Sequence, residues 1–268
     1  MKLPTFTVTA LLLQATFAGL SFSPAISRAD TLDDIQKRHS IRIAVPKNTP
    51  PFSIGNTYKT MEGYDISVAK MVALDLGVAV ELVPMSSAER IPALLEHKVD
   101  LIISNLGKTS ERQKQINFSQ AYAPFYLGVF GAHTLDVKTP ASLGGKTIAV
   151  TKGSIEDEEL SKIAPPSANI QRFATSDETV KFYLQGKASL LVAGNAIVAS
   201  FTDEQAAASH LKLVLKDSPC YIGVNKNDNA LMTRINMMLS TVKKNGVLNI
   251  NAQRWFKAAL PGSVLQLD

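Results

Sequence analysis

The residues with the clearest chemistry lie in one turn, Ser104-Asn105-Leu106-Gly107-Lys108-Thr109-Ser110-Glu111-Arg112. The apolar run at 101–103 before it reads as a short buried strand, and the polar run after it opens a helix. Such a strand-to-helix turn suits an anion. Gly107 lets backbone come close to a ligand, helix-opening N–H groups point outward, and Arg112 can grip a carboxylate with two bonds. The competing reading of Arg112 is a surface arginine paired with Glu111 or Glu81. Other chemistry is thin. His39, His97, His133 and His210 are scattered and lack metal-ligand spacing with each other or with Cys220. The sequence holds no phosphate-loop lysine motif and no nucleophile elbow.

The elements around this turn alternate. Residues 41–45 fit a first strand, ended by Pro46 and followed by a proline-stiffened loop at 47–52. Asp65 is placed to cap a helix whose apolar positions Ile66, Val68, Ala69, Val72, Ala73 and Leu76 recur at helical spacing, and Gly77 stops it. A strand at 78–83 follows, then a helix begun by Ser86 or Ser87 with Pro92 in its first turns. Strand, helix, strand, helix, strand, helix predicts a parallel sheet whose ligands bind beyond the carboxyl ends of its strands. The aromatic segment 121–131 reads as a strand leaving one lobe for another. A second unit then repeats the alternation: strand 147–150, an acidic helix opened by Gly153-Ser154, strand 170–173, a helix from Ser176 to Gln185 and strand 189–192. Residues 216–223 read as the return crossing, and helices at 230–244 and through Trp255 would rejoin the first lobe.

Several segments resemble, in order and spacing, the family 3 bacterial extracellular solute-binding proteins, the amino-acid receptors of ABC importers. They are Val99-Asp100-Leu101-Ile102-Ile103-Ser104, Thr109-Ser110-Glu111-Arg112, Ile116-Asn117-Phe118-Ser119, Pro50-Pro51-Phe52, Gly63-Tyr64-Asp65, Gly145-Lys146-Thr147, Gly153-Ser154 and Arg254-Trp255-Phe256. The resemblance implies an α/β fold of two lobes, each a sheet flanked by helices, joined by two hinge strands that close over a ligand. Lobe 1 would comprise 30–124 and 222–268, and lobe 2 would comprise 125–221. The expected function is capture of a polar or acidic amino acid, or a close derivative, for an inner-membrane ABC permease. Two other functions fit the same fold: a cyclohexadienyl dehydratase-like enzyme, with Glu89 and Glu156 as possible cleft acids, and a soluble sensor presenting ligand to a membrane receptor. No cofactor is expected.

By the same resemblance Arg112 would bind the ligand α-carboxylate, with the N–H groups of Ser154 and Ile155 completing its pocket. Ser154 with Asp157 also reads as a plain helix cap. The family's ammonium-binding hydroxyl falls at Gly107 and its ammonium-binding Asp at Gly194, next to Asn195, so this chain departs from its relatives where an α-amino group would be held. Family positions that carry rings fall at Thr49 and Ser87, and Arg90 stands one turn into the site, either contacting a ligand side chain or facing solvent beside Glu89. Asn105 and Tyr64 complete the candidate set. Tyr64, Phe52 and Tyr122 also read as core.

Length and charge agree with this reading. The 268 residues allow two lobes. Residues 1–29 combine Lys2, an apolar run and small residues before Asp30, the pattern of a secretory signal peptide cut after Ser27 or Ala29. Its removal takes two cations and lowers the formal charge of +5 to +3, too small an excess to suggest nucleic acid. The single cysteine, Cys220, excludes an internal disulfide and reads as a small buried residue or a reactive thiol; none stands at the cleavage site to take a lipid. The expected product is a periplasmic monomer.

Overall fold

The computed structural model describes residues 1, 31–55 and 60–266; the expected signal segment beyond Met1 lies outside the described residues. β1 (Ser40–Pro46) pairs in parallel with β2 (Ala79–Met85) on one side and β3 (Leu101–Ile102) on the other. α1 (Thr31–Arg38), α2 (Tyr64–Leu76) and α3 (Arg90–Leu95) flank these strands, and α4 (Ser110–Gln115) follows the turn after β3. β1 is buried on both faces, as the centre of a parallel sheet must be. Ile41, Ile43 and Val45 enter the main core with α2, while Ala44 joins Leu94 and Ile102 in a smaller cluster on the opposite face.

β4 (Ile116–Ala123) lies at one edge of this sheet and leads into β5 (Tyr126–Gly131) of the second. A short 3-10 turn, Pro140–Leu143, precedes β6 (Thr147–Thr151), α5 (Ile155–Ile163), β7 (Asn169–Phe173), α6 (Ser176–Leu184) and β8 (Leu190–Gly194). α7 (Asn195–Val198), α8 (Asp203–Ala207) and β9 (His210–Asp217) complete that sheet, whose order is β7-β6-β8-β5-β9. β10 (Cys220–Asn225) returns antiparallel between β3 and β4, so the first sheet runs β2-β1-β3-β10-β4. α9 (Asn229–Lys244) and α10 (Val247–Phe256) bury Leu231, Ile235, Leu239 and Leu248 in the core that holds α2, and the short α11 (Gly262–Leu265) adds Val264. The chain thus crosses between the sheets twice, and the Ser218 N–H donates to Phe125 O at 2.9 Å to tie the crossings together.

Three sequence expectations shift. The segment 121–131 is two strands broken at Pro124 and Phe125, because Pro124 lacks the N–H a continuous ladder needs. The return crossing is shorter than 216–223: β9 runs to Asp217 and β10 starts at Cys220. Asp65 does not cap α2; Gly63 holds the cap position, and the Asp65 carboxylate turns inward. Two helix starts also differ from their readings, α6 by one residue earlier and α3 by two to three residues later. Thr175, not Ser176, caps α6 and forms a capping box with Glu178, and α3 follows Glu89 without a serine side-chain cap.

Candidate functional site

The carboxyl ends of β1, β2 and β3 face those of β6, β7 and β8 across a cleft, and a small cavity remains between them. Pro46, Lys47, Met85, Ser87, Ser104 and Asn105 line it from one lobe; Thr151, Ser154, Glu156, Thr175 and Ile197 line it from the other. Hydroxyls dominate this wall. Among the described residues, the ionisable groups on it are Glu156, 5 % exposed, and Lys47, which is exposed.

Arg112 bridges the lobes. Its Nη1 donates to Gly107 O at 2.9 Å within its own lobe. Across the cleft, its Nε and Nη2 donate to Glu158 Oε1 at 3.0 and 2.6 Å, and Nη2 also donates to Gly153 O at 3.3 Å. The partner of Arg112 is therefore Glu158 rather than Glu111 or Glu81. Thr109 makes this possible by capping α4: its Oγ1 accepts the Arg112 N–H at 3.2 Å and fixes where the arginine leaves the helix.

Arg90 is fully buried rather than solvent-facing. Its Nη1 donates to the Ser104 carbonyl and lies 3.4 Å from Ser104 Oγ, while its Nε finds no partner among the described residues. It sits under the cavity wall and is not on it. Burial, with Arg112 as a like-charged neighbour, pulls its guanidinium down to about 10. Asp65 lies in the same layer, accepting the Asn105 N–H at 2.7 Å and the Tyr122 hydroxyl at 2.8 Å. Burial pushes its carboxyl up to about 7, against the pull of those two bonds and of Arg90. Asp65 thereby holds Asn105, which turns the chain with a φ of 36°. Tyr64 is core: its hydroxyl donates to Tyr122 O at 2.6 Å and its ring stacks on Phe256 at 4.4 Å.

The start of α5 behaves as a cap. Ser154 Oγ accepts the Asp157 N–H at 3.2 Å, and Asp157 Oδ2 accepts the Gly153 N–H at 3.1 Å. Glu156, next in that turn, is pushed upward by burial and held down in part by its own N–H, by Ser154, and by Arg90 and Arg112. Ile155 crosses to the other lobe: a Cβ on Gly107 would lie 2.6 Å from Ile155 Cδ1 and 2.7 Å from Ser218 Oγ. At Gly194 a Cβ would lie 1.7 Å from Phe125 Cζ. Gly194 is thus covered by a ring, and Gly107 by Ile155 and the Ser218 hydroxyl. Asn195 Oδ1 accepts the Tyr126 N–H at 3.0 Å, and Asn195 borders a separate hollow with Pro51, Pro124 and Trp255.

The structure therefore brings Ser87, Asn105 and Ser154 to the cavity wall, sets Arg90, Gly107, Arg112 and Ile155 close behind it or across the closure, and leaves Tyr64 and Asn195 elsewhere. Glu89 turns back to accept from Ser86 N and Oγ at 2.9 and 2.6 Å and is not itself on the cavity wall. Sequence reasoning missed Glu158, whose visible signal was an acid-rich first turn of α5, and Phe125, whose placement depends on the crossing. His133 and His210, distant in sequence, have neighbouring rings 5.2 Å apart. Among the described residues no group of three or more His, Cys, Asp or Glu could hold a metal ion.

Two mixed sheets flanked by helices, with a cavity between their facing strand ends, define a two-lobed solute-binding architecture. The chain belongs to the bacterial extracellular solute-binding proteins, family 3, whose model matches residues 41–258. Among similar curated proteins, the glutamine-binding protein GlnH of a Bacillus subtilis ABC transporter is 28% identical over 236 residues, covering 86% of each chain. The L-arginine-binding protein of Pseudomonas aeruginosa is 25% identical over 83% of this chain and 90% of its own. A mutant of the arginine-binding protein ArgBP from T. maritima superposes with a TM-score of 0.78 at 29% identity, covering 85% of this chain and all of that one. The ancestral amino acid-binding protein AncCDT-1, a precursor of cyclohexadienyl dehydratase, gives 0.75 at 29% over 85% of this chain and 100% of its own.

Proposed function

We propose that the protein captures an amino acid or a close derivative in the periplasm, as a monomer, and delivers it to an inner-membrane ABC permease. The observation that carries this reading is the hydroxyl-lined cavity formed jointly by both lobes, with Arg112 spanning the closure. Binding is reversible and non-covalent, and the closed form is what the permease recognises. Arg112 serves the ligand carboxylate by exchange: Glu158, 35% exposed at its side chain, swings out and the ligand takes its place on the guanidinium. The acidic ligands that the sequence suggests lose their expected partner, because Arg90 lies beneath the wall and donates to the Ser104 carbonyl.

A thermal-shift screen of the purified protein against the common amino acids, their amides and decarboxylated relatives tests this. A true ligand at about a hundredfold excess over its Kd adds roughly 2.7 kcal/mol. Calorimetry on a hit should show loss of binding in Arg112→Ala; a hit unaffected by that change would remove Arg112 from the site. The enzyme reading is favoured by one feature, the buried acid Glu156 on the cavity wall. Turnover of a prephenate-like acid, abolished by Glu156→Gln, would replace the transport reading.

A further inference from the structure

We propose that Glu156 is the residue that selects the ligand, and that it takes the cationic end of the ligand side chain, an ammonium or guanidinium. This rests on the binding function above and narrows it to cationic amino acids and their derivatives. The first reason is position. Glu156 is the buried ionisable group of the cavity wall, whereas Lys47 stands exposed. The carboxylate is held at the first turn of α5, next to its own N–H and Ser154, so it is oriented before any ligand arrives.

The second reason is charge balance. The layer beneath the cleft contains two guanidiniums, Arg90 and Arg112, and three carboxylates, Asp65, Glu156 and Glu158. Arg112 is matched by Glu158 at 2.6 Å. Among the described residues Arg90 is then shared between Asp65 and Glu156, with Arg112 adding a smaller pull on Glu156, so these two buried carboxylates are short of positive charge, and burial raises both. A ligand cation supplies the missing charge. An acidic side chain would instead bury another carboxylate beside Glu156, where like charges raise each other's cost.

The third reason is that further acceptors share the wall with this carboxylate. The neighbouring hydroxyls of Ser87, Thr151, Thr175 and Ser176 can take further N–H bonds from the same group.

Titration calorimetry on the full chain with L-arginine, agmatine, L-glutamine and L-glutamate tests the inference, using wild type and Glu156→Gln. Wild type should bind arginine at least about tenfold more tightly than glutamate, the scale of one hydrogen bond to a charged group. Agmatine, which keeps the guanidinium and lacks the carboxylate, should bind detectably. Glu156→Gln should weaken arginine and agmatine about tenfold or more while changing glutamine less than about threefold. Glutamate binding as tightly as arginine to wild type overturns the inference and leaves the binding function standing, and so does an equal loss of arginine and glutamine in the variant. Failure of all four to bind wild type overturns both. The wild-type comparison decides the matter even if the variant does not fold.

Discussion

At the scale of single residues, two groups away from the cavity wall lend themselves to direct tests, Asp65 and Gly194. Asp65 is a fully buried acid whose carboxyl is raised from 3.8 to about 7 because desolvation outweighs two hydrogen bonds and Arg90. A raised acid binds its proton more tightly folded than unfolded. Its contribution to stability is therefore complete below pH 3.8 and is lost as pH rises through about 7. Asp65→Asn removes that dependence, so the melting temperature of the variant relative to wild type should climb between pH 4.5 and 7.5; parallel curves would mean that Asp65 does not carry the shift. Gly194 makes a steric prediction instead. A Cβ there would fall 1.7 Å from the Phe125 ring, which packs in the core and cannot rotate away freely. Gly194→Ala should cost about 1–3 kcal/mol by overpacking. Phe125→Leu in the same chain should recover part of that loss in a denaturant titration, and no recovery would place the strain elsewhere.

At the scale of elements, the start of α5 joins stability to the cleft. Ser154 satisfies the Asp157 N–H, and Asp157 satisfies the Gly153 N–H while its other oxygen takes Arg172 Nε at 2.7 Å. Ser154→Ala should destabilise by about 1 kcal/mol, the usual worth of a serine cap. Urea unfolding measures it, and an unchanged midpoint would show that Asp157 alone sustains the turn. This cap was legible in the sequence, as were α2 from its apolar spacing and β1 from the alternation of Ile41, Arg42 and Ile43 into Ala44 and Val45, since each signal is local. β9 was not, although Leu211, Leu213 and Leu215 alternate with Lys212 and Lys216, because the reading assigned its end to the crossing. Arg112 was found through the turn chemistry around it. Its partner was not, because Glu158 lies 46 positions away in another lobe and only closure brings the two together. The inward turn of Asp65 was hidden for the same reason: an aspartate before an apolar helix looks like a cap until Asn105 and Tyr122 arrive from distant segments.

At the scale of the whole molecule, two contacts compete for the role of latch. One is the ion pair from Arg112 to Glu158, with side chains 4% and 35% exposed. Half of it faces solvent, which screens it, so about 1 kcal/mol is a fair share. The other is Ile155, 1% exposed, which leaves its own lobe to fill the space over Gly107 within the core of the other. Burying an isoleucine contributes about 1.5–3 kcal/mol. The apolar contact should therefore dominate. Small-angle scattering of the ligand-free protein tests the ranking, because an open cleft has a larger radius of gyration than a closed one. Ile155→Ala should expand the molecule more than Glu158→Gln does, and a saturating ligand should bring both back to the wild-type radius. If Glu158→Gln expands it more, the ion pair is the principal latch, and closure would then weaken with added salt as exposed charges are screened. The glycine at 107 has a second consequence under the apolar ranking. Gly107→Ser would press a side chain into Ile155 and Ser218, so it should favour the open form as well as adding a hydroxyl to the cleft.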